Sequence, residues 1–259
     1  MFVLRLLALL LLLDSSAFAG VSGAALDAVY VDPKPEAALP LNLEFRDDSG
    51  RVRSLASALA GRPAVLVFAD YTCHTLCGPV LDFTIAALQQ SGLQPGSAYD
   101  LIVIGLDPKD TLDAARALKA SYLATGDPIG RAALFLSSSQ AAVGQATAAL
   151  GYHFAYDPEH DQFAHPAAAF VLNGEGEVTR VLSGLGLSGA DLRLALVEAG
   201  RGKVGALADR FRLLCYGYDP VRGIYTAQIG LLLQIAAAIT LVAMAGGFLV
   251  LRRMARAAS

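Results

Sequence analysis

The sequence predicts an α/β sandwich around a mixed sheet, followed by a C-terminal transmembrane helix. Three observations predict it. Two short continuous apolar runs, residues 64–69 (AVLVFA) and 101–106 (LIVIGL), read as strands buried on both faces. Each is followed by a stretch with apolar residues at helical spacing, the alternation expected of a parallel α/β core. Far downstream, residues 229–251 form an uncharged apolar run of the length a bilayer requires.

Residues 20–40 are rich in Ala, Pro and small polar residues and read as a linker. Residues 41–47 alternate apolar and polar before Asp48-Ser49-Gly50, which predicts a strand entering a hairpin. After the strand at 64–69, residues 79–90 carry Val80, Phe83 and Ala87 at helical spacing. After the strand at 101–106, residues 110–123 predict a helix capped by Thr111, with Leu112, Ala115, Leu118 and Leu123 apolar. A third strand is expected at 132–136 and an Ala-rich helix at 138–150. Residues 168–172 and 178–182 flank Asn173-Gly174, a hairpin signal. A closing helix is expected over 188–199, with Ser188 or Asp191 near its start. This order matches a thioredoxin-like topology over residues 41–200, with residues 201–228 as a membrane-proximal linker. No internal repeat is visible.

The two ends account for the composition. Hydrophobic residues make up 55% of the 259, more than a soluble domain alone carries. Residues 1–19 place Arg5 before a leucine-rich run at 6–13 and an Ala17-Phe18-Ala19 cleavage pattern, the layout of a secretory signal peptide. As a helix, residues 229–251 would be roughly 34 Å long. Arg252, Arg253 and Arg256 follow in the tail 252–259, Arg222 is the one basic residue in the ten before the run, and Tyr225 stands where an interfacial aromatic belongs. Signal and anchor agree on one topology: a single-pass protein of the cell inner membrane, with the domain on the periplasmic side and the tail in the cytoplasm. The formal net charge of -3 shows no basic stripe, which argues against nucleic acid as a partner. Three Cys argue against a disulfide-stapled scaffold.

Cys73-His74-Thr75-Leu76-Cys77 follows directly on the first buried strand, and a helix begins near Pro79. Ligands of open α/β sheets bind outside the carboxyl ends of strands. A helix amino terminus lowers a nearby thiol pKa, and the thiolate is the species that binds metal or attacks. Three residues separate the Cys, against two in thioredoxin-type redox motifs. That spacing permits a disulfide and also leaves a gap for a soft cation. Paired thiolates favour Cu(I), and an added imidazole accommodates Cu(II). An inert disulfide in an oxidising compartment is the bland alternative.

Of four His, three lie within thirteen residues: His153, His160 and His165. His165 comes just before the strand at 168–172, a junction that packs against the cysteine loop in a thioredoxin-like layout. It is the favoured imidazole ligand, with His160 its competitor, His74 an alternative between the two Cys, and His153 structural. Cys215, in the linker, is either incidental or a relay for copper or disulfides.

Tyr71-Thr72-Cys73-x-x-x-Cys77, then Gly105-Leu106-Asp107-Pro108-Lys109-Asp110-Thr111, then His165 before an apolar strand and an Asn-Gly turn resembles the Sco/SenC family. The resemblance spans about residues 41–199. It implies a thioredoxin-like fold and copper held by Cys73, Cys77 and His165. It further implies assistance in assembling the copper centre of cytochrome c oxidase, as copper donor, as thiol reductant, or both. Expected partners are that oxidase's copper-centre subunit and other copper or thiol-reducing proteins. The sequence departs from the family where His74 and Gly78 stand in place of the usual Pro after each Cys, and where Ala164 precedes His165 in place of Asp. The family's usual anchor is also amino-terminal. The alternative function is a periplasmic thiol-disulfide oxidoreductase with Cys73 and Cys77 as the redox-active pair. A third is a thiol peroxidase using Arg62 and Thr72.

Overall fold

A seven-stranded mixed sheet organises the chain. In this computed structural model the described residues are 28–34, 36–73, 78–158, 161–200, 216–219 and 224–227, with 234, 237–244 and 246 toward the end. The strands of the described body are β1 (Tyr30–Val31), β2 (Glu44–Asp47), β3 (Val52–Ser54), β4 (Ala64–Ala69), β5 (Asp100–Gly105), β6 (Leu134–Ser137), β7 (Tyr152–His153), β8 (Ala155–Asp157), β9 (Gln162–Ala164), β10 (Ala168–Leu172) and β11 (Val178–Ser183). The helices are α1 (Leu55–Leu59), α2 (Gly78–Ser91), α3 (Leu112–Tyr122), α4 (Pro128–Ala132), α5 (Gln140–Ala149) and α6 (Gly189–Ala199). Sheet order is β11-β10-β4-β5-β6-β2-β3. β4, β5 and β6 run parallel, while β10 and β2 flank them antiparallel.

The continuous apolar runs become the central strands because both of their faces are covered. Val65, Val67 and Ala69 of β4 enter one core, with α2, α6, Ala115 of α3 and Ile129 of α4. Ala64, Leu66 and Phe68 enter the other, with α1 and α5. That is a three-layer sandwich with β4 among its interior strands, and the carboxyl end of β4 is where the cysteine loop departs. Caps set the helix starts. Thr111 Oγ1 accepts from the Ala114 amide at 3.1 Å, and Ser188 Oγ accepts from the Asp191 amide at 3.1 Å. Ser188 is therefore the cap of α6 and Asp191 its first-turn acid, an arrangement worth about 1 kcal/mol.

Some boundaries differ from the sequence pattern for local reasons. The first long strand begins at Glu44 because the chain turns after Pro40, whose carbonyl accepts from the Leu43 amide at 3.2 Å. Ala132 ends a short helix instead of starting a strand, because Asp127-Pro128 initiates α4, with the Asp127 side chain accepting from Ile129 and Gly130 amides. The β8–β9 hairpin was not anticipated.

Among the described residues, no helix is long and apolar enough to cross a membrane. Of the run 229–251, residues 234, 237–244 and 246 are described, and these are helical and exposed. The signal-peptide expectation lies outside the described residues. So do His74, Cys77, His160 and Cys215.

Candidate metal centre

Tyr71, Thr72 and Cys73 follow from the end of β4 past Asp70. Tyr71 is buried, its hydroxyl 2.9 Å from the Val103 carbonyl and 2.8 Å from that of Leu136. This pins the base of the loop to the sheet. The aromatic ring needs Gly105 beside it. A Cβ at Gly105 would lie 2.8 Å from Asp110 Oδ2 and 3.0 Å from Tyr71 Cε2. Asp110 Oδ2 in turn accepts from the Tyr71 amide at 3.4 Å, while its Oδ1 is buried with no hydrogen-bond partner among the described residues. Burial first, then the neighbouring Asp70 and Asp107, push the Asp110 carboxyl up to about 7.

Asp70 is 1% exposed. Its Oδ1 accepts from the Thr72 amide at 3.0 Å and the Thr72 hydroxyl at 3.1 Å. Its Oδ2 accepts from the Phe163 amide at 2.9 Å. β8 and β9 pair through Ala155–Ala164, Tyr156–Phe163 and Asp157–Gln162. This hairpin brings Gln162 over the loop, where the half-buried Cys73 thiol donates to Gln162 Oε1 at 3.5 Å.

Three residues past Gln162 comes His165. Its Nδ1 is 3.0 Å from the Tyr152 hydroxyl oxygen and 3.3 Å from the Pro166 carbonyl. The Tyr152 hydroxyl donates to that same carbonyl at 2.9 Å. The Tyr152 proton is thus committed, and the tautomer that satisfies these atoms carries its proton on Nδ1. Nε2 is left as a lone pair, and this atom is buried with no hydrogen-bond partner among the described residues. Burial lowers the His165 pKa, against the opposing pull of the Pro166 carbonyl, Cys73 and Asp70. The imidazole is therefore held neutral, and Cys73 and Asp70 stand near enough for their charge to bear on it. A neutral imidazole with its distal nitrogen orphaned and its proximal nitrogen fixed by a hydrogen bond is the usual preparation of a metal-binding His.

The structure thus brings Cys73 and His165 to one place. Cys77, the remaining ligand expected from sequence, lies outside the described residues, immediately before α2. Among the described residues no three His, Cys, Asp or Glu side chains form a metal-ligand set. His153 lies elsewhere, on β7, stacked on Tyr30 with ring centroids 4.1 Å apart. Arg62 is paired with Asp100 at 2.8 Å, at the opposite end of β4 from Cys73, so it is not placed to activate a peroxide at that thiol. Sequence reasoning missed Asp70, Gln162 and Tyr152. A carboxylate directly preceding the cysteine loop was the one available signal among them.

Fold and site define a thioredoxin-like domain with a thiol and a poised imidazole at the carboxyl end of its central strand. The SCO1/SenC family matches residues 32–192, more than half of the sequence, and the chain belongs to that family. Solved structures share the fold. A putative electron transfer protein from Aquifex aeolicus VF5 is 20% identical with a TM-score of 0.58, the match covering 66% of this chain and 96% of that one. Arabidopsis thaliana ScoI with copper bound is 15% identical with a TM-score of 0.51, over 61% of this chain and 96% of that one. BsSco, a member of the Sco family of cytochrome c oxidase assembly proteins with an identified disulfide switch, is 21% identical with a TM-score of 0.50, over 67% and 99%. No curated protein matches by sequence.

Proposed function

We propose that this chain is a copper-binding assembly factor for the copper centre of cytochrome c oxidase, holding its metal cargo with Cys73, Cys77 and His165. The observation that carries it is the buried, unpartnered Nε2 of His165 beside Cys73. A lone pair kept out of water and given no donor costs stability unless something else fills its place. The donor set supports copper: two thiolates suit Cu(I), and the imidazole extends the set to Cu(II). Family membership and the copper-bound Arabidopsis relative favour the same metal. Assembly of cytochrome c oxidase is the role stated for BsSco's family.

Delivery would proceed by ligand exchange. Client thiolates replace Cys73 and Cys77 one at a time, and His165 can bind and release without exchanging a proton, because its imidazole is already neutral. Each thiol gives up its proton on binding, so copper uptake strengthens as pH rises. The signal peptide at 1–19 and the anchor at 229–251 would place this chemistry on the periplasmic face of the inner membrane.

The test is titration of the reduced full chain with Cu(I) and with Cu(II). We expect one tightly held copper per chain. His165→Ala should lose Cu(II) affinity, and either Cys73→Ser or Cys77→Ser should abolish tight binding of Cu(I). A chain that exchanges disulfides with a client, holds no copper and ignores His165→Ala is an oxidoreductase instead.

A further inference from the structure

We propose that the buried carboxylate of Asp70 is the positioning group that holds the two ligand-bearing segments of this site in register, one oxygen on the cysteine loop and the other on the strand leading to His165. Thr72, bonded by Oδ1, adjoins Cys73, and Phe163, bonded by Oδ2, lies two residues before His165. The two segments are about ninety residues apart in sequence, the Asp70–Phe163 bond itself spanning 93.

The chemistry explains why a carboxylate is needed. Its donors are two backbone N–H groups and a hydroxyl, with no cation among them. Burying a charge on neutral donors alone is expensive, so a residue serving only to fill space would be apolar. A carboxylate accepts at both oxygens, whereas an amide of the same shape accepts at one and presents N–H groups at the other. Only the carboxylate can take both clamps.

The hairpin needs such a tether. It has three residue pairs, and an isolated two-stranded hairpin of that size is marginal in water. The Lys109–Asp161 ion pair at 2.8 Å also ties it to the body, but both side chains are about two-thirds exposed and the contact is of little worth. The Asp70–Phe163 bond is part-buried, with Asp70 itself 1% exposed. It also fixes Gln162, the neighbour of Phe163, whose Oε1 meets the Cys73 thiol.

The experiment separates this clamp from the copper reading, on which it rests only for its metal-binding consequence. In the metal-free full chain, Asp70→Asn keeps one acceptor oxygen and should speed hydrogen exchange at the Phe163 or the Thr72 amide by at least about tenfold, with the β4 and β10 amides unchanged. The same variant should weaken Cu(I) binding by about 10- to 100-fold, as loss of a ligand-orienting partner does. It should also alter the Cu(II)–thiolate absorption band, which a remote loss of stability would leave in place. Unchanged exchange at both Phe163 and Thr72, or faster exchange with unchanged copper affinity and spectrum, would overturn the proposal. If the unmutated chain bound no copper, the assembly reading would fail and the clamp would be judged by exchange alone. Should Asp70→Asn not fold, the wild-type scalar coupling across the hydrogen bond from the Phe163 amide nitrogen to the Asp70 carboxyl carbon decides. Its presence supports the clamp and its absence removes it.

Discussion

Asp110 sits against Gly105 with one carboxyl oxygen toward the Tyr71 amide and the other buried without a partner. Its folded pKa of about 7 exceeds the ordinary 3.8, so between these values the native chain holds a proton that the unfolded chain has released. Stability from this group therefore falls as pH rises through that window. His165 acts in the opposite sense. Its folded pKa lies below 6.5, so the unfolded chain protonates first and stability is lost as pH drops below 6.5. Asp110→Asn isolates the first effect, since the amide cannot ionise. The variant should gain about 1 kcal/mol on the wild type between roughly pH 5 and pH 8, less than the whole shift implies because solvent reaches part of the carboxyl. Urea denaturation at the two pH values measures it. A constant difference would mean that Asp110 is ionised throughout. At this scale the sequence exposed only part of the site. Cys73 and His165 stood out by residue type. Tyr152 and Gln162 act through partners 13 and 89 residues away, and no periodicity encodes such pairs.

Helix α2 follows Cys77 and begins at Gly78, so whatever moves α2 moves the cysteine loop. What holds α2 is mainly α6, and the two helices meet with almost no space between them. A Cβ on Gly189 would lie 2.5 Å from Gln90 Cβ and 2.9 Å from the Gln90 carbonyl carbon. The neighbour there is backbone as well as side chain, so it cannot swing aside. Gly189→Ala should thus push the helices apart, costing about 1–3 kcal/mol by urea denaturation, as overpacking does. Cu(I) affinity should fall with it, because the α2 start shifts. A variant of wild-type stability would show that α6 slides without penalty. The elements themselves were largely legible. Buried strands β4, β5 and β10 are continuous apolar runs, and the helices follow Thr111 and Ser188 caps. What escaped were short elements whose formation depends on tertiary contact. The β8–β9 hairpin has no Asn-Gly turn signal and is held by Asp70 from another part of the chain.

The described buried residues that build the two cores all fall between Ala37 and Ala199. Strand β1 adds an edge through Tyr30–His153 and Val31–Tyr152 pairing, and both central-strand faces are closed by helices from within that span. Neither core includes a described residue of the run 229–251, where Ile239, Leu241, Val242 and Met244 are each more than 60% exposed. Four large apolar side chains on one exposed helical stretch require an apolar environment of their own. Under the proposed topology a bilayer would supply it, and the arginines at 252, 253 and 256 would set the direction of insertion. A chain ended after residue 202 should therefore leave the membrane fraction and appear in the periplasm, still unfolding cooperatively and still binding one copper. The full chain should sediment with membranes. With an epitope added after Ser259, protease applied to spheroplasts should digest the body and spare the epitope. Digestion of the epitope with the body protected would reverse the topology and place the cysteine loop in the reducing cytoplasm, where a periplasmic client's copper centre is out of reach.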